Sequence, residues 1–399
     1  MQHDQLWIGN SHLTRLKSKR FYSKTVTMKP HFTDTRLKHI YQKISADQRL
    51  DHDDGRVLYD TGDLIGLGYL ADMVRRRRHS DIAYWIYNQH LNYTNVCTNR
   101  CQFCAFARDA GDMGAFTLSI KDVKSRLMER IDEPVRELHV VGGINPELPF
   151  QYYLDLIKTI KKIRPEATVK AFTAVEIDYF AEISGQSIEK TISSLKNAGL
   201  EMMPGGGAEV MSTRVRKKLF HRKIDHQRWL DVMRAAHTQG IITNATMLYG
   251  HIETNTEKIA HLIALRELQD DTGGFSAFIP LAFHSGHTRL AHLPETTAFD
   301  DLKNIAAARL LLDNFDHIKA YWVMIGERLA QVALAFGADD LDGTIIEEKI
   351  THMAGAKSAR GLTRSEMRRM ITTAGFTPVE RDAFYRPITA SGRKIDETP

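Results

Sequence analysis

From about residue 83 onward, short runs of apolar and β-branched residues alternate with stretches whose apolar positions recur every three or four residues. That alternation is the pattern of strands and amphipathic helices around a parallel sheet. Runs at 84–92, 137–141, 168–174, 200–203, 241–248, 275–280 and 318–323 are predicted strands, with a weak eighth at 333–336. Ser119 and Asp122 form a capping-box pattern ahead of Val123 and Leu127, and Pro149 sits where a first helical turn tolerates it. Gly199 and Gly240 follow helical stretches where a left-handed cap is wanted. Eight strands over about 260 residues predict an α/β fold, a (β/α)8 barrel of the TIM type spanning 83–345, with a split six-strand barrel as the alternative.

The flanks read differently. Leu37, Ile40, Tyr41 and Ile44, and then Leu64, Leu67, Leu70, Ala71 and Val74, recur at helical spacing and predict helices within an N-terminal extension over 28–82. Residues 1–27 are polar and basic without a period, and are expected to be a disordered tail. After residue 345 a small, turn-like stretch precedes Thr363-Arg364-Ser365-Glu366, which opens a capped helix ending at Gly375. Residues 346–399 are therefore expected to be a C-terminal segment closing one barrel end.

Composition adds mainly exclusions. The 399 residues carry 54 basic and 49 acidic side chains, a net charge of +5 with the signs interleaved, which argues against a nucleic-acid binder. The one dense basic run, Arg75-Arg76-Arg77-Arg78-His79, is expected to be a solvated helix end favoured by the helix dipole, with a phosphate contact as the rival reading. No apolar run is long enough to span a bilayer, and the N-terminus lacks the apolar core of a signal peptide, so a cytoplasmic protein with no membrane partner is expected.

All three cysteines fall in one stretch, Cys97-Thr98-Asn99-Arg100-Cys101-Gln102-Phe103-Cys104. Thiolates are soft ligands suited to iron–sulfur clusters, zinc or copper(I), and this spacing lets them converge on one centre. A cubane cluster takes four protein ligands, so three leave one iron open, as catalytic metal sites do. The rival is a Cys3His zinc site, with His90 or His139 as fourth ligand, in a non-enzymatic metal-binding protein. Zinc modules more often show two separated Cys-x2-Cys pairs. An odd cysteine count in a long chain excludes a disulfide framework.

Further candidates follow the predicted strands. Gly142-Gly143 lets a ligand approach the backbone, or makes an ordinary turn. Glu176 can meet a ribose hydroxyl or cap the helix behind it. Pro204-Gly205-Gly206-Gly207-Ala208-Glu209 exposes consecutive amides able to hold a carboxylate or ribose, and matches neither a Walker loop nor a dinucleotide fingerprint. His284, His287 and Arg289 suit an aromatic acid, and Arg309, on an apolar helix face, would need a partner such as a substrate carboxylate.

Cys-x3-Cys-x2-Cys with Phe103 before the last cysteine resembles the radical S-adenosylmethionine (SAM) superfamily. The resemblance implies a 4Fe–4S cluster on Cys97, Cys101 and Cys104, its open iron chelated by the amino and carboxylate groups of SAM. It implies main-chain contact of Phe103 with adenine and of Gly142 and Gly143 with the methionine amine, and that Ile252 touches the purine face. Glu176, Gly206 and Glu209 join them as SAM-binding candidates. Where the family has Gly-Gly-Glu-Pro, this chain has Gly142-Gly143-Ile144-Asn145-Pro146, so the amine contact falls to main-chain oxygen.

Within the superfamily, the stretches 203–209, 320–324, 333–344, 347–356 and 374–382 are similar to the menaquinone futalosine-pathway branch and its deazaflavin-cofactor relatives. They most resemble the aminofutalosine synthases, over about residue 30 to the end. This implies a transferase acting on an aromatic enolpyruvyl ether, 3-((1-carboxyvinyl)oxy)benzoate, whose vinyl carbon takes up the 5′-deoxyadenosyl radical to give 6-amino-6-deoxyfutalosine and bicarbonate. An electron donor such as flavodoxin or ferredoxin is implied as partner. The alternatives are cyclic dehypoxanthinylfutalosine synthase and the deazaflavin-chromophore synthase, in which the radical abstracts hydrogen and leaves as 5′-deoxyadenosine.

Overall fold

The structure, a computed structural model, describes residues 30–388; the tail expected at 1–27 lies outside them. Seven parallel strands form one curled sheet in chain order: β2 (Asn88–Asn92), β3 (Glu137–Val141), β4 (Thr168–Ala171), β5 (Met202–Met203), β6 (Ile242–Tyr249), β7 (Phe275–Ala282) and β8 (His317–Ile318). A second sheet of three parallel strands sets β1 (Ile82–Ile86) between β9 (Asp340–Gly343) and β10 (Thr377–Arg381). Single bridges from Lys319 to Asp340 and from Gln89 to Ile346 place the 339–346 stretch between β8 and β2 as an eighth stave. The molecule is thus the expected α/β barrel of TIM type.

Side-chain alternation explains how strands this polar stay buried. In β3, Leu138 and Val140 join the apolar core, whereas His139 and Val141 line the barrel's inner cavity. The helix caps follow the sequence: Ser119 and Asp122 close a capping box on Ile120–Met128, Thr363 and Glu366 another on Arg364–Thr373, and Gly199 is left-handed behind Ile188–Ala198.

Four expectations change. The run 84–92 divides at Tyr87 into β1 and β2, which serve different sheets. The eighth strand is not 333–336, which forms the 3-10 helix Leu334–Phe336, its Phe336 ring filling the space a side chain on Gly68 would occupy. So short an apolar run has no periodicity to separate strand from helix. The 318–323 run keeps strand form only at its start; Trp322 turns into Trp322–Ile325, its Nε1–H donating to the Gly343 carbonyl at 2.8 Å. Arg75 is not solvated: it is fully buried at the end of Leu64–His79 and donates to the carbonyls of Ala338, Ser80 and Ile82. A third N-terminal helix, His52–Asp60, was not anticipated.

Candidate active site

The C-terminal ends of the barrel strands surround a cavity of about 340 Å3, and Cys97, Cys101 and Cys104 all line it. Main-chain bonds clamp the loop that carries them. Cys97 N–H donates to Arg108 O (3.1 Å), Thr98 N–H to Ile144 O (3.0 Å) and Gln102 N–H to Leu219 O (2.9 Å). Arg289 N–H donates to Gln102 O (3.1 Å). All three cysteines are unpaired thiols. Burial pushes the Cys101 thiol up to about 12 and raises that of Cys104, so each needs a bound cation to become a thiolate.

A cation already stands beside them. Lys223 Nζ pairs with Glu209 at 2.5 Å and lies 5.2 Å from the Phe103 ring centre. Burial works against its charge, but the Cys101 sulfur and the Glu209 carboxylate outweigh burial and hold its pKa above the ordinary lysine value. Sequence reasoning passed over Lys223 because it sits in a mostly surface basic run, His221-Arg222-Lys223.

Gly142 and Gly143 line the cavity, and both are glycine for room: a Cβ on Gly142 would overlap the Tyr93 ring, and one on Gly143 the Val96 carbonyl of the cysteine loop. Gly206 and Phe103 also face the cavity. Glu176 borders it too, but its oxygens are committed. Oε1 accepts from Tyr93 Oη (2.7 Å) and Gly142 N (3.1 Å), and Oε2 from Thr173 N (2.7 Å) and Thr173 Oγ1 (2.8 Å). The carboxylate is the N3 member of the capping box on Ala174–Ser184. With about four lone-pair sites on a carboxylate, none is left for a ribose or an amine. Glu176 therefore braces the Gly142 backbone rather than reaching a ligand.

Four other expected contacts, Ile252, His287, Arg289 and Arg309, are not brought to the cavity. Ile252 lies outside its lining, in a turn where Glu253 accepts from the amides of Gly250 (2.7 Å) and His251 (2.9 Å). Arg289 is exposed and touches the site only through its main chain. Arg309 is buried at the opposite, N-terminal end of the strands, donating to Gly337 O (2.8 Å), Asp316 O (2.9 Å) and the Asp339 carboxylate. Its partner is Asp339, not a substrate. His284 does line the cavity; its Nε2 meets Met324 O at 3.0 Å, and burial lowers its pKa. His287 is exposed, its Nδ1 3.1 Å from Met353 O.

The arrangement bears on the zinc rival. Among the described residues, the group of three possible ligands with donor atoms mutually within 4.8 Å is His79, His317 and Asp339. Their atoms are committed to one another, to Arg309 and to the Asp316 carbonyl. Three unpaired thiols facing one cavity are a donor set that fits an iron–sulfur cluster with one iron left for another ligand.

The sequence profile of the radical SAM superfamily matches residues 91–265, and that of the CofH/MqnC C-terminal region matches residues 272–393. Aminodeoxyfutalosine synthase of Thermus thermophilus is 47% identical over 359 residues, covering 89% of this chain and 96% of that protein. The chain belongs to the radical SAM superfamily. It is an enzyme of that superfamily, in the futalosine-pathway branch. A 5-amino-6-(D-ribitylamino)uracil–L-tyrosine 4-hydroxyphenyl transferase of Methanopyrus kandleri is 40% identical over 309 residues, covering 76% of this chain and 84% of that protein. Among solved structures, methylornithine synthase superposes with a TM-score of 0.65 at 16% identity, over 85% of this chain and 97% of that one, a likeness of fold.

Proposed function

We propose that this radical SAM enzyme is an aminodeoxyfutalosine synthase. It joins the 5′-deoxyadenosyl group of SAM to the vinyl carbon of 3-((1-carboxyvinyl)oxy)benzoate, consuming water and releasing methionine and bicarbonate to give 6-amino-6-deoxyfutalosine for menaquinone. The similarity to the Thermus protein over nearly its whole length carries this reading. A 4Fe–4S cluster on Cys97, Cys101 and Cys104, reduced by flavodoxin or ferredoxin, supplies the electron that makes SAM a source of the deoxyadenosyl radical.

The chain's own residues bind, orient and keep the site dry. Main-chain groups of Phe103, Gly142, Gly143 and Gly206 hold SAM, and Glu209 keeps Lys223 beside the cysteines. Glu176 fixes the Gly142 backbone that makes the contact. Val141, Ile144, Leu248, Ile279, Leu281 and Phe283 give the cavity apolar walls, which exclude water from a primary radical that would otherwise abstract hydrogen from its surroundings. Residues 83–345 form the catalytic barrel, 28–82 an N-terminal extension, and 346–399 the segment closing it, in a cytoplasmic protein. Among the described residues no helix is long and apolar enough to cross a membrane.

Anaerobic turnover with SAM, a reductant and the enolpyruvyl benzoate tests the proposal. A product retaining the adenosyl group supports it. Free 5′-deoxyadenosine with no adduct would move the chain to the hydrogen-abstracting alternatives, the cyclic dehypoxanthinylfutalosine synthase or the tyrosine-using relatives, which the 40% identity to the Methanopyrus protein also favours.

A further inference from the structure

Inside the barrel, His90 of β2, His139 of β3 and Lys170 of β4 stand side by side in one cross-strand row, and all three line the cavity. The row lies two residues below Asn92 and Val141 at the strand ends, about 7 Å beneath the rim that carries the cysteines, given a rise near 3.3 Å per residue. The two imidazoles stack with centres 4.6 Å apart and planes within 13°. His90 is only 7% exposed. His139 is partly buried, and among the described residues neither imidazole has a hydrogen-bond partner, so the ring nitrogens are left to the cavity. Lys170 Nζ forms an ion pair with the buried Glu137 carboxylate at 2.7 Å. Lys319 and Asp342 pair close by at 3.2 Å, and the Glu348 carboxylate, which also borders the cavity near His90, is engaged by His352 at 3.0 Å.

Burial lowers the pKa of both histidines, so each ring is neutral and offers one N–H. With the Lys170 ammonium the row presents two imidazole N–H groups and a cation to the cavity, a donor set suited to one carboxylate. We infer that His90, His139 and Lys170 form the recognition site for an aryl carboxylate at the cavity floor. Resting on the function proposed above, the occupant is the benzoate carboxylate of the substrate. The enolpyruvyl carboxylate is bonded to the reacting vinyl group, which must meet the adenosyl carbon at the rim. The ring carboxylate lies across a rigid benzene ring from it and is the one able to reach the floor. The histidines and lysine are thus specificity-determining contacts to the substrate's unreactive end.

The test titrates the reconstituted enzyme with SAM bound and no reductant, by calorimetry, with the enolpyruvyl benzoate and with its benzamide analogue. Wild type is expected to bind the acid at least tenfold more tightly than the amide. His90→Phe and His139→Phe, which keep a stacked ring and remove its nitrogens, should reduce that preference to less than threefold. His139→Gln, which restores an N–H, should recover part of it and serves if a Phe variant does not fold. An acid-to-amide preference that is absent from wild type, or unchanged in every folded variant, overturns the inference. The two readings separate cleanly: floor-dependent acid binding without an adenosylated product refutes the proposed reaction and keeps the floor, whereas product formation with an indifferent floor does the reverse.

Discussion

Glu176 offers the sharpest test of how the SAM-facing backbone is held. Glu176→Ala would leave Tyr93 Oη, Gly142 N and Thr173 N without their acceptor inside a region where Tyr93 is fully buried and Glu176 is 2% exposed. At about 1–3 kcal/mol for each stranded buried donor, with some relief by relaxation, the loss is roughly 3–6 kcal/mol. Glu176→Gln keeps the shape and one accepting oxygen but turns an NH2 toward two donors, for roughly 2–3 kcal/mol. Unfolding entropy scales with length, so for a chain of this size the Ala variant should melt roughly 4–8 °C lower. The assay pairs thermal or urea unfolding with calorimetric SAM binding to the reconstituted enzyme. A brace predicts large stability losses in both variants and, in folded Glu176→Gln, only a few-fold weaker SAM binding. An unchanged melting point with a more than tenfold loss of SAM affinity would make Glu176 a direct ligand contact and refute the reasoning.

Other consequences are open to measurement. Arg309→Met should cost about 3–5 kcal/mol by leaving the Asp339 carboxylate without its arginine, with KM unchanged in the folded fraction; a raised KM and intact stability would return Arg309 to the substrate. Replacing any one of Cys97, Cys101 or Cys104 by alanine should strip iron, visible absorbance and product formation together, and normal iron content in all three variants would contradict the cluster assignment. Asp301, which accepts from Tyr249 Oη at 2.8 Å, has a pKa raised by burial to about 6. Between about pH 4 and 6 the folded chain keeps a proton that the unfolded chain has released, so this group's contribution to stability falls as pH rises through that window. Asp301→Asn should remove that slope, gaining on the order of 2–3 kcal/mol relative to wild type between pH 4 and pH 7 in urea unfolding.

What the sequence made legible was whatever local pattern decides. Strand and helix periods, Ser119 and Thr363 as caps, and three thiols at fixed spacing carry their meaning within a few residues. The eighth stave was missed because Asp340-Leu341-Asp342-Gly343 is polar: Asp340 pairs with Arg381 at 2.7 Å and Asp342 with Lys319, so burial is sustained by ion pairs that hydrophobicity does not reveal. Arg309 was misplaced for a related reason. Its helix face shows that it is buried, but whether Asp339 or a ligand answers it depends on which loops meet at that end of the barrel. Glu176 carried both of its readings in the sequence, and Tyr93 and Gly142 converging on one oxygen settled it. His90, His139 and Lys170 had a usable signal, polar residues in the middle of predicted strands, whose shared row emerges only from strand register.

The measurement that bears most directly on the account is turnover with SAM labelled with carbon-13 at the 5′ position. If this chain joins the adenosyl group to the enolpyruvyl benzoate, the label appears in an aminodeoxyfutalosine product, one equivalent for each methionine released, and replacing any one of the three cysteines abolishes it. Label recovered wholly as 5′-deoxyadenosine, with the benzoate unchanged or rearranged without it, would contradict the proposed reaction.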